Sequence, residues 1–413
     1  MGVFGKVDRF GSLFGKFVIG LMRLKSILDI EVLDKRVLLK VDFNVPLVYK
    51  KKIEIEDDDR IKASLPTINN LLERGAKLSI TSHLGRPGGK IVQKLSLFPI
   101  TRYLSKVLGK KVRLVNHLKF KSLRWITESI RRGEIILLEN SRFDPGEEKN
   151  SRIFSRKLAS AGELFVNDAF SVCHRVHASV VGVAKILPTV AGFGLLKELE
   201  LISRILKKPK KPFIVLIGGV KFDKISLLNK LAQLSDKLIV GGALANGFLM
   251  AQGLNIGTSL VDKTTISQIK EILKNYSKKI MLPVDLMVKN EKTNRTRLAK
   301  ADELSSKDNA LDVGKQSLRV YKQILRTAKT ILWNGPFGKF EEKPFDRSSK
   351  VILKMMAGSR SITVIGGAET LASIDGMIEQ RLITYISVGG GAMIEFMEKG
   401  TLPGIRVIDR KES

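Results

Sequence analysis

Arginines and other polar residues follow four apolar runs in the first half of the chain. Each run has the character of a buried strand, and the residues that follow are Asp42, Asn44, His83, Arg86, Arg142 and Arg175. Parallel strands bring their carboxyl ends to one edge of a sheet, where ligands bind. Guanidinium groups bind phosphate and carboxylate oxygens two at a time. The pattern therefore favours a pocket for a small, multiply anionic metabolite over three unrelated surface arginines.

Glycines follow four apolar runs in the second half, as Gly218-Gly219, Gly241-Gly242, Gly366-Gly367 and Gly389–Gly391. Glycine lets the backbone approach a ligand closely, and a helix that follows directs free N–H groups at phosphate. Four such turns on one edge favour a nucleotide-binding surface over routine tight turns. The surface is of another kind than a P-loop, because the sequence GxxxxGK[ST] is absent.

An anion pocket and a nucleotide surface in one chain suggest group transfer between two substrates. In phosphoryl transfer the protein chiefly positions the reactants and neutralises charge. Arg60, Lys221 and Lys224 are cations suited to that role.

A structural metal site is not predicted. Cys173 is the single cysteine, which excludes an internal disulfide and a cysteine-clustered zinc site and fits a reducing compartment. The acidic run from Glu54 to Asp59 is interpreted as a solvated turn rather than a metal site. His174 and His177 have zinc-like spacing, but no cysteine or acid completes a convincing ligand set.

Short apolar runs alternate with longer amphipathic stretches from residue 36 onward. The runs are Arg36–Val41, Lys77–Ile80, Glu134–Leu138, Glu163–Val166, Phe213–Ile217, Lys237–Val240, Lys279–Leu282, Thr330–Trp333, Ile362–Ile365 and Tyr385–Val388. Strands that alternate with helices predict βαβ units and a mainly parallel sheet. About ten strands exceed one comfortable sheet. The sequence therefore predicts the α/β class, with two doubly wound, mainly parallel-sheet domains.

The domain boundary is predicted near residues 197–212, where a helical pattern precedes a basic, proline-containing linker. The first domain then begins at 22 and ends at 196, and the second covers 213–391. Residues 1–21 are basic, glycine-rich and aromatic. We interpret them as a dispensable extension, with Met22 as an alternative start; a short membrane-surface or organelle-targeting segment is the alternative.

The composition is that of a globular protein with a large positive charge. The 413 residues include 72 Lys+Arg and 41 Asp+Glu, which gives +31, and the 44% hydrophobic and 27% charged residues exclude a disordered or collagen-like chain. The cations are spread along the chain and aromatics are only 6%, which favours solvated faces over a specific nucleic-acid site. Incidental polyanion binding at low salt is expected.

The uncharged stretch from Leu238 to Val261 contains five glycines and is interpreted as strand, turn and helix rather than a membrane span.

Several motifs resemble those of phosphoglycerate kinase, in matching order and spacing from about Met22 to Ile408. They are KRVLLKVDFNVPL, DRIKASLPTI, SHLGRPGGK, LLENSRFDPGEE, FVNDAFSVCHRVHAS, LPVD, ILWNGPFGKFE, IGGAETLASIDG and ISVGGGAMIEFMEKGTLPG. The resemblance implies reversible transfer of phosphate from 1,3-bisphosphoglycerate to MgADP, giving 3-phosphoglycerate and MgATP. It also implies a cytoplasmic monomer, a hinge helix that joins two domains and closes the cleft between them, and a C-terminal segment from about 392 to 413 that packs back on the N-terminal domain.

The resemblance also assigns the site residues. The sugar-acid substrate would contact Asp42, Asn44, Arg60, His83, Arg86, Arg142 and Arg175. The catalytic set would be Arg60, Lys221, Lys224, Gly367 and Gly390, the last two through backbone N–H groups. The nucleotide would contact Lys224, Gly242, Asn334, Glu341, Gly367, Ala368, Glu369 and Thr370, with Glu341 on the ribose.

Two segments depart from the family pattern. Where the family has Gly-Gly-Gly-Asp followed by Ser or Thr, this chain has Gly366 to Thr370 with Glu369 in place of the aspartate. We expect Glu369 to serve Mg²⁺ directly or through water, with weaker MgADP affinity, because Mg²⁺ demands near-ideal octahedral geometry. Lys221 and Lys224 are three residues apart instead of four. These departures leave a non-catalytic polyanion- or membrane-binding protein, or a different acyl-phosphate kinase, as the alternatives.

Overall fold

The computed structural model describes residues 24–49, 53–220, 225–387 and 389–409. Lys221, Lys224 and the extension 1–21 lie outside these ranges. The chain divides into two compact units, with the changes between Ser203 and Arg204 and between Glu398 and Lys399. The first unit contains the residues up to Ser203 and those from Lys399 onward.

The first unit contains a six-stranded parallel sheet in the order β5-β6-β4-β1-β7-β8, and a small β2-β3 hairpin. Its strands are β1 Arg36–Lys40, β2 Leu47–Tyr49, β3 Ile53–Ile55, β4 Lys77–Thr81, β5 Val112–Val115, β6 Ile135–Leu138, β7 Leu164–Asn167 and β8 Thr189–Ala191. Its helices are α1 Asp59–Glu73, α2 Phe98–Leu108, α3 Arg124–Glu128, α4 Arg152–Ala159 and α5 Phe193–Lys207, which continues into the second unit.

Both faces of this sheet are covered, which explains why its strands are nearly continuous apolar runs. Val37 and Leu39 of β1 pack on one face with residues of α1 and α2. Leu38, which points to the other face, packs with residues of α3 and α4. The period-2 alternation along the strand therefore divides one run between two cores.

The C-terminal segment of the described chain completes the first unit. It contains α13, Pro403–Arg406. Its backbone donates from Gly404 N to Cys173 O at 2.8 Å and from Asp409 N to Thr189 O at 2.9 Å, and Asp409 O accepts from Lys25 N at 2.8 Å. The C-terminal segment that packs back on the first domain was expected to begin at about 392. The structure assigns residues from Lys399 to the first unit.

The second unit contains a six-stranded parallel sheet in the order β11-β10-β9-β15-β16-β17 and a three-stranded antiparallel sheet in the order β13-β12-β14. Its strands are β9 Phe213–Ile217, β10 Lys237–Val240, β11 Ile280–Met281, β12 Asp285–Asn290, β13 Thr296–Lys300, β14 Asp308–Val313, β15 Thr330–Asn334, β16 Ile362–Gly366 and β17 Tyr385–Ser387. Its helices are α6 Ile225–Leu234, α7 Gly242–Ala251, α8 Ile266–Tyr276, α9 Lys315–Thr327, α10 Arg347–Ala357, α11 Ala368–Ala372 and α12 Gly390–Lys399.

The predicted α/β class with mainly parallel sheets is confirmed. Each apolar run identified in the sequence overlaps an observed strand, and the uncharged stretch from Leu238 to Val261 begins with β10, a glycine turn and α7. The edge strands β5 and β8 and the antiparallel sheet were not predicted. Within the described ranges, no helix has the length and apolar character that crossing a bilayer requires.

Candidate active site

Asp42 lies at the centre of the polar cluster in the first unit. It follows β1, is 7% exposed, and its Oδ2 atom lies 2.5 Å from Arg60 Nη1 in the first turn of α1. Ser171 donates a hydrogen bond to the same oxygen, and Asn44 N donates to Oδ1 at 2.9 Å. Burial alone would raise the pKa of Asp42, but the Arg60 charge and these hydrogen bonds outweigh it and the pKa lies below its ordinary value. Asp42 is therefore an anion that holds Arg60 in place.

His83, which follows β4, lies beside Asp42 as a neutral imidazole. Its Nδ1 atom is 3.9 Å from Asp42 Oδ1, and the side chain is 4% exposed. Burial holds the pKa of His83 well below its usual range, the Asp42 carboxylate opposes the shift, and neighbouring cations including Lys40 reinforce it. His83 can therefore contribute a hydrogen bond to a ligand at neutral pH, whereas the positive charge comes from arginine.

Arg142 is tied to the turn that follows β4. Its Nη1 atom donates to Gly85 O at 2.7 Å, while Gly85 N donates to Asn44 Oδ1 at 2.8 Å. The guanidinium is 6% exposed, and its Nε atom is 3.5 Å from Glu148 Oε1. Burial lowers the pKa of Arg142, Glu148 opposes the shift, and the Arg175 charge adds to it. Arg142 and Arg175 thus belong to one electrostatic environment.

The other two arginines of the prediction occupy different surroundings. Arg175 is half-buried in the segment after β7, and its backbone N donates to Val172 O at 2.9 Å. Arg86 is exposed one residue after Gly85, on the turn that Arg142 contacts. The structure thus links Asp42 directly to Asn44, Arg60 and His83, and it links Arg142 to Asn44 through the backbone of Gly85. Arg175 joins them through its charge, and Arg86 lies next to them along the chain.

Sequence reasoning missed several polar partners of this cluster. Ser171 binds Asp42, and Lys40, the last residue of β1, is 1% exposed. Burial lowers the pKa of Lys40, and the Glu147 carboxylate opposes the shift. The available signal was a lysine at the end of an otherwise apolar strand. Nothing in the local sequence indicated that its side chain would be buried.

The glycine turns of the second unit lie on one edge of its parallel sheet. They follow β9, β10, β16 and β17, whose strands run in the same direction. Gly219, Gly242, Gly367 and Gly390 have φ values of +86°, +59°, +101° and +41°. These values lie in the left-handed region, which glycine enters without a steric penalty.

Neighbouring turns on this edge approach each other very closely. A Cβ atom on Gly335 would lie 2.1 Å from Gly218 O, and one on Gly242 would lie 2.6 Å from Gly219 N. Gly218 N donates to Asn334 O at 2.9 Å, across the turns after β9 and β15. Contact between backbones, as well as room for a ligand, therefore requires glycine at these positions.

Asn334 and Thr370 hold the turns after β15 and β16 together. Asn334 Nδ2 and Thr370 Oγ1 each donate to Gly366 O at 2.8 Å, and Gly335 N donates to Thr370 Oγ1 at 2.6 Å. Both side chains are buried. The backbone that precedes Gly367 is therefore fixed by two side chains that the sequence assigned to the nucleotide site.

Glu369 lies over the turn that follows β9. Its Oε2 atom is 3.7 Å from the position that a Cβ atom would take on Gly219. Mg²⁺ commonly binds one or two carboxylates together with substrate phosphates. The Glu369 carboxylate beside the glycine turn after β9 fits that requirement. Ala368 is exposed at the start of α11, and its N atom is 3.8 Å from the Cβ position of Gly390.

Glu341 is exposed in the segment between β15 and α10. Its neighbour Glu342 forms ion pairs of 2.9 Å with Lys289 and with Lys339, which anchor this segment to the antiparallel sheet. Lys221 and Lys224, predicted for the turn after β9, lie outside the described residues.

The acidic run before Arg60 is a turn only in part, because it begins in β3 and Asp59 is the first residue of α1. Asp57, Asp58 and Asp59 place carboxylate oxygens within 4.8 Å of one another. Asp57 and Asp59 are exposed, and Asp58 accepts a hydrogen bond from Tyr103 and lies 2.6 Å from Lys62 Nζ. These contacts stabilise the start of α1, which carries Arg60.

Comparison with known proteins identifies the family. The family model described as phosphoglycerate kinase matches residues 27–400. The chain is 40% identical over 393 residues to the phosphoglycerate kinase of Pelotomaculum thermopropionicum, covering 94% of this chain and 99% of that one. It is 41% identical over 389 residues to that of Moorella thermoacetica, covering 93% and 98%. The chain belongs to the phosphoglycerate kinase family.

Solved structures agree with this assignment. The phosphoglycerate kinase of Coxiella burnetii matches with a TM-score of 0.80 at 36% identity, and that of Pyrococcus horikoshii with 0.77 at 30% identity. Each match covers 93% of this chain and 98% of the other. As a member of the phosphoglycerate kinase family, the chain is a phosphotransferase with a carboxyl group as acceptor, which takes a nucleotide substrate. The predicted activity is confirmed, and the non-catalytic alternative is not supported.

Proposed function

We propose that the first unit binds the sugar-acid substrate of phosphoglycerate kinase at the carboxyl ends of its strands. The proposed contacts are Asp42, Asn44, Arg60, His83, Arg86, Arg142 and Arg175. The observation that carries this proposal is the arrangement around Arg142, a guanidinium only 6% exposed that shares its surroundings with Arg175. Burial and the Arg175 charge disfavour the charged form of Arg142, and an anionic ligand would offset both effects.

Arg60 is the proposed catalytic cation of this site. Asp42 fixes the Arg60 guanidinium through the 2.5 Å contact, so that its remaining N–H groups can bind oxygens of the phosphoryl group. The phosphoryl group carries its charge on three equatorial oxygens in the transition state. A pre-positioned guanidinium stabilises that charge without reorganisation during the reaction.

We assign the nucleotide to the glycine turns of the second unit. The proposed contacts are Gly242, Asn334, Glu341, Gly367, Ala368, Glu369 and Thr370, together with Lys224. Mg²⁺ bound with the nucleotide would supply charge neutralisation on the phosphate oxygens, and Glu369 is the residue proposed to hold it. Backbone N–H groups of Gly367 and Gly390, with Lys221 and Lys224, would stabilise the transferring phosphoryl group.

The proposed step is an in-line displacement at phosphorus. A terminal phosphate oxygen of ADP forms a bond to the phosphorus of the acyl phosphate, while the bond from phosphorus to the carboxyl oxygen breaks. The electron pair of the broken bond stays on the 3-phosphoglycerate carboxylate, and no proton has to move. In the reverse direction, that carboxylate attacks the terminal phosphorus of ATP. The protein therefore needs cations and orientation rather than a general base.

A coupled assay with 3-phosphoglycerate and MgATP tests the assignment. We expect turnover in the parent chain, and a loss of 3-phosphoglycerate affinity in Arg142→Ala with little change in the KM for MgATP. Equal effects on both KM values would contradict the assignment of Arg142 to the sugar-acid site. Competition by 3-phosphoglycerate also distinguishes 1,3-bisphosphoglycerate from other acyl phosphates as the phosphoryl donor.

We further propose that the enzyme works as a cytoplasmic monomer without a specific nucleic-acid or membrane partner. The support is the dispersed charge of +31, which attracts polyanions without a defined site. Size-exclusion chromatography at low and high salt checks this. A single monomer peak at high salt is expected, and a salt-resistant dimer would contradict it.

A further inference from the structure

Glu147 is a buried carboxylate between the two arginine-bearing segments of the first unit. It is 1% exposed and lies between the turn after β6, which carries Arg142, and the start of α4. Neither the sequence motifs nor the substrate assignment above gives it a role. A buried carboxylate requires compensating hydrogen bonds, so its partners show what it organises.

Two of these partners belong to the segments that hold Arg142 and Arg175. Ser141, the residue directly before Arg142, donates from its Oγ to Glu147 Oε1 at 3.2 Å. Ser179, four residues after Arg175, donates from its Oγ to Oε1 at 2.5 Å and from its N to Oε2 at 3.0 Å. One carboxylate thus joins the segment after β6 to the segment after β7.

The backbone of Glu147 reinforces the same connection. Ala178 N donates to Glu147 O at 2.9 Å, and Ser141 N donates to Ser82 O at 3.0 Å in the turn after β4. Glu147 therefore bonds to Ser141, next to Arg142, and to Ala178 and Ser179, which follow Arg175 by three and four residues.

The charge of Glu147 also acts on the buried cations. Burial lowers the pKa of Lys40, and the Glu147 carboxylate is the main group that opposes this shift. The His177 Nδ1 atom is 3.9 Å from Glu147 Oε1, and burial lowers the pKa of His177 to about 4, so that the imidazole is neutral at pH 7. Glu147 therefore acts electrostatically on Lys40, while the imidazole beside it is neutral.

We propose that Glu147 is a positioning residue that sets the spacing of the Arg142 and Arg175 segments for 3-phosphoglycerate binding. This inference rests on the proposed assignment of both arginines to that substrate. Glu147 is almost fully shielded from solvent, and its hydrogen bonds reach the two arginine segments through Ser141, Ser179 and the backbone of Ala178. Because binding of a multiply anionic ligand by two guanidinium groups depends on their separation, a displacement of about 1 Å is enough to weaken it.

Steady-state kinetics of Glu147→Gln in the full chain test the proposal. The amide keeps the shape of the side chain, but it loses the charge and turns an NH₂ group toward hydrogen-bond donors. We expect the KM for 3-phosphoglycerate to rise about tenfold, with the KM for MgATP and kcat within about twofold of the parent. The stabilisation of the protein against heat by 3-phosphoglycerate should decrease in parallel.

Two further variants make the result decisive. Ser179→Ala removes one hydrogen-bond donor to the Glu147 carboxylate and should raise the KM for 3-phosphoglycerate by about threefold. This variant tests the positioning role if Glu147→Gln does not fold. Glu163→Gln is the matched control. Its carboxylate accepts from Arg36 N at 3.1 Å and Arg36 Nε at 3.3 Å at the amino-terminal edge of the same sheet. It should leave both KM values unchanged.

The possible failures are distinguishable. A folded Glu147→Gln or Ser179→Ala with an unchanged KM for 3-phosphoglycerate and a lower melting temperature would overturn the positioning role and leave the proposed function intact. Equal increases in both KM values would also overturn it. A parent protein that shows neither turnover nor thermal stabilisation by 3-phosphoglycerate would instead refute the proposed function.

Discussion

Arg60 Nη1 lies 2.5 Å from Asp42 Oδ2, which joins the first turn of α1 to the carboxyl end of β1. Asp42 is 7% exposed, and Ser171 donates a hydrogen bond to the same Oδ2 atom. The Arg60 guanidinium is thereby held in one orientation by the buried Asp42 carboxylate. This relationship makes Arg60 the most sensitive position of the proposed mechanism.

Arg60→Ala should reduce kcat by about 10³-fold or more, because the phosphoryl charge would lose a pre-positioned cation. The fold should persist, since the buried Asp42 carboxylate keeps its hydrogen bonds from Ser171 and from Asn44 N. Coupled kinetics and circular dichroism measure the two effects. Arg124→Ala is the control, because the Arg124 side chain forms an exposed 2.7 Å pair with Glu128, away from the proposed site residues. A variant of Arg60 that kept more than about a tenth of the activity would remove Arg60 from the mechanism.

Glu369→Ala should raise the Mg²⁺ concentration needed for half-maximal activity by about tenfold, because the carboxylate proposed for the metal is lost. Glu369→Asp should retain or improve the dependence, since the shorter side chain restores the family pattern. Activity is measured against free Mg²⁺ at fixed nucleotide. No change in either variant would show that Glu369 does not serve the metal.

Gly335→Ala should destabilise the second unit by about 3 kcal/mol or more. The new Cβ atom would lie 2.1 Å from Gly218 O at a φ of +91°, so that both steric overlap and backbone strain contribute. Gly253→Ala is a matched control. It has a φ of +87° with nothing within 4 Å of the Cβ position, and should lose only about 1 kcal/mol. Equal losses in urea unfolding would show that the contact between the turns is unimportant.

The stability of the first unit should fall as the pH decreases below about 6.5. Burial lowers the pKa of His117 to about 3 and that of His177 to about 4, and it lowers the pKa of His83 as well. Between these values and about 6.5 the three histidines bind more protons in the unfolded chain than in the folded one, so unfolding is favoured as protons are added. Buried Asp168, whose pKa is raised to about 7, opposes this trend with a single proton. Each histidine should contribute roughly 1 kcal/mol per pH unit.

Calorimetry at about pH 7.5, 6.5 and 5.5 measures this dependence. His117→Phe should make it less steep, because one of the three histidines is removed. His117 is fully buried with its ring centre 5.5 Å from that of Phe154, so an aromatic ring can replace it. A variant with the same decline as the parent would show that His117 remains unprotonated in the unfolded state or is not buried.

The sequence predicted the strands that are buried on both faces, because β1 and β9 form nearly continuous apolar runs. It missed β13, in which only Ala299 is buried, since a mostly exposed polar strand gives no apolar run. The site was predictable where polar residues follow such runs, as Asp42 does. Glu147 was not, because its importance depends on contacts with Ser141 and Ser179 that form only in three dimensions.

The glycine turns show a similar division. Their placement on one edge was predicted because glycines follow the carboxyl ends of parallel strands, whereas the contact between Gly335 and Gly218 was not predicted. A tight turn and a close approach of two backbones have the same sequence signal. Only the distances between neighbouring strands distinguish them.

The hydrogen bonds of Asp409 with Thr189 and Lys25 have a consequence for synthesis on the ribosome. The first unit begins to form as soon as its own strands emerge, but its last segment is translated only after the entire second unit. Until then β8 lacks those contacts, and the nascent first unit is less stable than the finished one. A premature stop codon just before Lys399 would therefore weaken the part of the protein made earliest, although it would spare every residue of that sheet.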